Sequence, residues 1–302
     1  MIGIVNFAAN KTNSKPKLKK MKKNVMLLSA LLTLTVATFA QRGKGSDQSG
    51  LYIEVLAQPG MTMGGNYQVQ EDAVTATPTY VDMNKTFTFG INAGAQAGYN
   101  FTDNIGVSAG LIFSHQGQDY KYTYSVIDTA TLKRTVSLNY FKIPILFNYT
   151  APINSQVSFI CSAGIYFGIL TGYKDETTVT MPGETDVMTA SGSTLTETGT
   201  VRGISYTNNA VFTTKPYTSG DFGGILAAGF QFQLSSNIYL PITLNYQIGF
   251  NNVKNVASTY TETGNPTGQL FWQQNGSGDP NLTLAYHNSS LELKIGVKIF
   301  LK

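Results

Sequence analysis

Residues Ser290–Leu301 read S-L-E-L-K-I-G-V-K-I-F-L, and this stretch decides the fold. Leu291, Leu293, Ile295, Val297, Ile299 and Leu301 fall on one face of an extended strand, with Glu292, Lys294, Gly296 and Lys298 on the other, because successive strand side chains point to opposite sides. A strict period of two excludes an amphipathic helix. An unbroken aliphatic face opposed by charges fits a wall standing between hydrocarbon and a polar interior.

The same alternation recurs seven times upstream. The segments are Gly50 to Ala57, Phe87 to Phe101, Ile105 to about Tyr120, Val136 to Tyr149, Val157 to about Ile169, Asp221 to Leu234, and Ile238 to Phe250. Connections between them alternate long and short. The short ones lie at Thr102-Asp103-Asn104, Pro152 to Ser155 and Ser235-Ser236-Asn237, and the longest interruption runs from about Lys174 to Ser219, rich in Thr, Ser and Gly. The pattern predicts an all-β chain: an eight-stranded antiparallel transmembrane β-barrel with short periplasmic turns and long extracellular loops.

Alternation alone also suits a soluble barrel with its apolar side inward. A soluble barrel covers its outside with charge, about a quarter or more of surface positions. Here the polar faces are mostly Gly, Ser, Thr, Asn and Gln, and charged residues make up only 13% of the chain. Aromatics gather at strand ends, with Tyr99, Phe101, Tyr149, Phe159 and Tyr239 by the short turns and Phe87, Phe113, Phe167, Phe222 and Phe250 by the long loops. Two aromatic girdles are expected where a barrel crosses the membrane interfaces.

The amino terminus has the layout of a secretory signal peptide: a basic start at Met21-Lys22-Lys23, an uncharged apolar run from Val25 to Phe39, and a small residue at Ala40. Residues 1–40 therefore read as a leader cleaved near Ala40, and 41–302 as one barrel domain. The leader holds seven of the 21 basic residues and no acid, so 14 basic residues face 17 acidic ones in the remainder, a net charge of −3. The basic balance of the whole chain belongs to the leader and argues for no nucleic-acid partner. Cys161 is the single cysteine, which excludes a disulfide framework.

Leu138-Asn139-Tyr140-Phe141-Lys142-Ile143-Pro144-Ile145-Leu146-Phe147-Asn148-Tyr149, together with Gly110-Leu111-Ile112-Phe113-Ser114-His115-Gln116-Gly117, resembles the outer-membrane β-barrel (porin-family, PorT-like) proteins of the Bacteroidota type. The resemblance implies location in the bacterial outer membrane. It brings no catalytic motif and no cofactor.

Charges in the polar phase of the strands are the most specific candidates. Glu54, Lys142, Glu292, Lys294 and Lys298 fall there, and a charge inside a narrow barrel needs a partner because its desolvation is costly. Glu54 and Lys298 lie at similar depths on the first and last strands, so a lumen ion-pair network is expected. Its role is read as a plug fixing strand register, with an ion path as the competing role. Tyr260, Phe271 and Trp272 are candidate loop contacts.

His115 and His287 are the residues from which an outer-wall catalytic site would be built. Ser114 faces the lumen if His115 faces lipid, so the two cannot form a nucleophile and base pair. The acids Asp175, Glu176, Glu184, Asp186 and Glu197 follow no calcium-loop pattern and read as a solvated loop surface. The expectation is a non-enzymatic barrel without metal or cofactor, acting as a structural or surface-loop binding protein. The alternatives are a narrow passive porin, a PorT-like accessory of protein secretion and, most distantly, a lipid A-modifying enzyme. Expected partners are outer-membrane lipid and lipopolysaccharide, and the barrel-assembly machinery during insertion.

Overall fold

The computed structural model describes residues 48–65, 68–70, 80–123, 131–181, 184–201, 204–254, 259–263 and 287–301. The leader and the residues Phe271 and Trp272 lie outside the described residues. Fifteen strands are described: β1 (Gly50–Met63), β2 (Gln68–Gln70), β3 (Tyr80–Asp82), β4 (Asn84–Thr86), β5 (Thr88–Asn100), β6 (Ile105–Thr123), β7 (Thr131–Pro152), β8 (Val157–Met181), β9 (Glu184–Ser191), β10 (Thr194–Val201), β11 (Ile204–Thr214), β12 (Gly220–Gln233), β13 (Ile238–Gly249), β14 (Thr259–Thr263) and β15 (Ser289–Phe300).

Eight of them close a ring in the order β1-β5-β6-β7-β8-β12-β13-β15, and β15 returns to pair with β1. Closure leaves the ring no free edge, which is what lets a sheet stand in hydrocarbon. All pairings around the ring are antiparallel. The start of β1, the end of β15 and three tight turns gather at one end. Backbone amides of Phe101, Ile153 and Leu234 reach the carbonyls of Ile105, Val157 and Ile238 across these turns, and Leu301 N–H reaches Leu51 O at the seam.

The outer wall is apolar and exposed: Phe89 is 70% and Leu226 61% accessible. The opposite faces turn inward and are buried, as in β1, where Tyr52, Glu54, Leu56 and Gln58 alternate with Leu51, Ile53, Val55 and Ala57. Gly98 and Gly223 sit against the rings of Tyr52 and Tyr166, where any Cβ would collide. These glycines give the narrow interior room for two tyrosines.

The largest difference from the sequence reading is the stretch from Lys174 to Ser219. Instead of a loop it completes β8 and forms β9, β10 and β11, hydrogen-bonded in order, with β14 beyond. Above the ring, β6, β7 and β8 continue upward into this sheet, and β4 adds to β6. Its buried face carries an apolar core that includes Val136, Leu138, Tyr140, Val179, Met188 and Leu195.

One residue makes the extension's parity on β8 work. Asn139 pairs with Gly172 and Tyr140 with Leu170, so Thr171 is an extra residue, a β-bulge. Below it Ser158, Ile160, Tyr166 and Gly168 face inward; above it Tyr173, Asp175, Thr177 and Val179 do. A one-residue insertion exchanges the two faces of a strand.

Candidate functional site

The ring interior is a stack of polar and charged layers, positioned because every second residue of each strand must point inward. At the turn end, Tyr52, Tyr239 and Phe300 pack together, with ring centroids 5.4 Å apart for Tyr52 and Phe300 and 5.5 Å apart for Tyr239 and Phe300. Lys298 Nζ lies 4.4 Å from the Tyr52 ring centroid, a cation over the ring's negative face.

Next comes Glu54, 1% exposed, whose Oε1 lies 3.1 Å from Lys294 Nζ and whose Oε2 accepts a 2.7 Å hydrogen bond from Gln96. Lys298 is the direct cross-strand partner of Glu54, yet Lys294 makes the close contact and Lys298 turns to the aromatics. Glu292 accepts hydrogen bonds from Asn92 (2.6 Å), Gln247 (2.8 Å) and Ser290 (2.5 Å). Lys142 donates to Gln247 Oε1 at 3.0 Å and sits 4.3 Å from the Tyr166 ring centroid. All five sequence-selected charges therefore lie inside the ring, joined through neutral amides as much as by direct pairing.

Asp221 is a lumen acid that the sequence reading passed over. It is 3% exposed and accepts hydrogen bonds from the Tyr166 hydroxyl (3.1 Å) and Asn288 (2.9 Å). Its phase on β12 is that of Gln231, which is the signal that finds it. With it the lumen holds three carboxylates and three ammonium groups among the described residues: Glu54, Asp221 and Glu292 against Lys142, Lys294 and Lys298.

A second arrangement lies above the ring at its outer mouth. Arg134 grips Asp175 with two hydrogen bonds, Nε to Oδ1 at 2.9 Å and Nη2 to Oδ2 at 2.5 Å, and the Tyr217 hydroxyl adds a third at 2.7 Å. Asp175 is 1% exposed, so the reading of it as part of a solvated loop surface is corrected: the bulge at Thr171 turns it inward. Tyr217 and Lys254 form a backbone bridge, and Thr218 N–H reaches Val253 O at 2.8 Å. Burial, reinforced by the nearby Arg134 guanidinium, holds the Lys254 amine down at about 8. The segments entering β12 and leaving β13, neighbours in the ring, thus stay tied to each other above it, with Tyr217 and Val253 in the apolar core.

The remaining candidates do not converge. His115 faces outward with its Nδ1 2.6 Å from Asn139 Oδ1, Ser114 is fully buried on the lumen side, and His287 is exposed. Tyr260 occupies β14 opposite Phe212 in the backbone register. Among the described residues no group of three His, Cys, Asp or Glu side chains is arranged to hold a metal ion.

A closed antiparallel ring with a hydrocarbon-facing outer wall and a polar interior defines a transmembrane β-barrel of the bacterial outer membrane. The chain belongs to the outer membrane protein beta-barrel domain family, whose model matches residues 39–255. Among solved structures it is similar to Neisserial surface protein A (12% identity, 84% of this chain and 98% of that one, TM-score 0.36). It is also similar to OprG from Pseudomonas aeruginosa (10%, 86% and 100%, 0.37) and to the outer membrane protease OmpT from Escherichia coli (8%, 85% and 98%, 0.37). No curated protein sequence matches the chain.

Proposed function

We propose that this protein is a non-enzymatic outer-membrane barrel with a closed lumen, exported by its leader as one domain over residues 41–302, that displays a folded extracellular β-platform as a binding surface. The observation that supports this reading is the series of buried side chains that occupy the interior at successive levels, from Phe300 at one end of the ring to Val253 at the other. A cavity of about 20 Å³ lined by Gln58, Gln96, Lys142 and Tyr166 has room for about one water.

Single-channel recording of the mature chain in planar bilayers tests it. A closed lumen gives no steady conductance. Reproducible openings in the unmodified protein overturn it and favour the second reading, a narrow ion-selective pore, for which the six lumen charges are the supporting feature.

A further inference from the structure

Above the membrane, the outward face of the extension carries a like-charge cross-strand pair. Lys121 on β6 and Lys133 on β7 are direct cross-strand partners, and both are exposed. Directly opposed residues have Cβ atoms about 4.5–5.5 Å apart, and like charges placed so destabilise a sheet. Their lateral neighbours are neutral: Asn84 beyond Lys121 and Thr178 beyond Lys133. Among the described residues the adjoining carboxylates lie one face position lower. One is Asp119, half-buried; the other is Glu176, already 2.6 Å from Lys174.

Position decides which outside anions can reach the pair. The two lysines stand on the strands that form the lipid-facing wall, on its upward continuation, six residues above His115 and Asn139. Six residues span about 20 Å of strand, or about 14 Å of height at a tilt near 45°. At that height, on the lateral face of an outer-membrane barrel, the medium is the anionic headgroup and saccharide layer of the outer-leaflet glycolipid. Five of the surrounding outward positions are hydroxyls: Thr123, Thr131, Thr135, Thr178 and Thr180. They supply neutral donors and acceptors beside the two charges.

We propose that Lys121 and Lys133 form a docking site for an anionic group, phosphate or carboxylate, of the lipopolysaccharide headgroup and saccharide region. One anion between two ammonium groups converts a repulsive cross-strand pair into a bridged one. The inference rests on outer-membrane location and not on the closed lumen, so a conducting parent protein leaves it intact.

The test is thermal unfolding of the mature chain in phosphatidylcholine vesicles with and without lipopolysaccharide, read by heat-modified electrophoretic mobility. Lipopolysaccharide raises the unfolding temperature of the parent, and titration gives its affinity. Each lysine removed in K121Q and K133Q weakens that affinity about fivefold, whereas K174Q, whose ammonium is already paired, leaves it unchanged. K121E restores an opposite-charge pair, so it stabilises the protein in plain phosphatidylcholine and loses the lipopolysaccharide response. Equal responses in parent and double variant overturn the proposal. So does inorganic phosphate alone reproducing the parent's response, which makes the pair a free-anion site instead.

Discussion

Two halves of one strand, β7, are built on opposite plans. From Phe141 to Tyr149 the outward residues are Phe141, Ile143, Ile145, Phe147 and Tyr149, while Lys142 and Asn148 point in. From Thr131 to Tyr140 the outward residues are Thr131, Lys133, Thr135, Ser137 and Asn139, and Leu132, Val136, Leu138 and Tyr140 are buried. The backbone does not change; the medium does. In hydrocarbon an apolar side chain gains nothing by turning inward, so the interior is free to be polar and is held by hydrogen bonds and charge pairs. In water the same strands must bury their apolar residues, and the extension is a hydrophobic core of ordinary sense. The crossover at Tyr140 therefore marks the outer membrane boundary.

The bulge is the sharpest place to break this contrast. Deleting Thr171 removes the extra residue and turns Tyr173, Asp175 and Val179 outward, away from the core that holds the extension together. The expected outcome is complete loss of the extension with an intact ring: trypsin cleaves at Lys174 and Lys133, while the remaining barrel keeps its heat-modified mobility. An extension that stays protease-resistant would show that the bulge does not set the parity.

Glu54→Ala probes the ring. It leaves Lys294 and Lys298 buried beside an empty position, and breaking a buried pair by removing one partner costs about 3–5 kcal/mol. Urea unfolding in vesicles should register that loss globally, since the seam strands β1 and β15 both carry it. Glu54→Leu with Lys294→Met should recover part of it, because those two charges leave together and Lys298 alone keeps an unmatched charge. A loss below about 1 kcal/mol would mean that the lumen is wet enough to screen these charges.

The ring was legible in the sequence because its rule is strict: eight period-two segments, each with one aliphatic face. Strand phase also placed Glu54, Lys142, Glu292, Lys294 and Lys298 on the polar side. It could not choose partners, since a long side chain leans along its strand and reaches past the residue opposite. That is how Glu54 meets Lys294 rather than Lys298. The extension was not legible. Thr194-Leu195-Thr196-Glu197-Thr198-Gly199-Thr200 has one apolar residue in seven and reads as a polar loop. Its strand character comes from neighbours on β9 and β11 and from a core supplied partly by β7 and β8. Asp175 was misread for a related reason, because a single bulge reverses the phase and leaves no compositional mark.

The smallest expected effect separates the two regions by pH. Lys254 at the outer mouth has its amine held near 8 against an ordinary 10.5 by burial and by Arg134. Between those values the unfolded chain binds a proton that the folded extension has released, so stability rises with pH across roughly 8 to 10.5. Lys254→Met removes this contribution. Protection of the extension from proteolysis should therefore increase over that window more steeply in the parent than in the variant. Unfolding of the ring should follow the same curve in both, because Lys254 belongs to the segments above the ring and not to the lumen layers. A difference that appeared equally in both readouts would mean that extension and ring unfold as one cooperative unit, and the contrast drawn along β7 would then be one of composition alone.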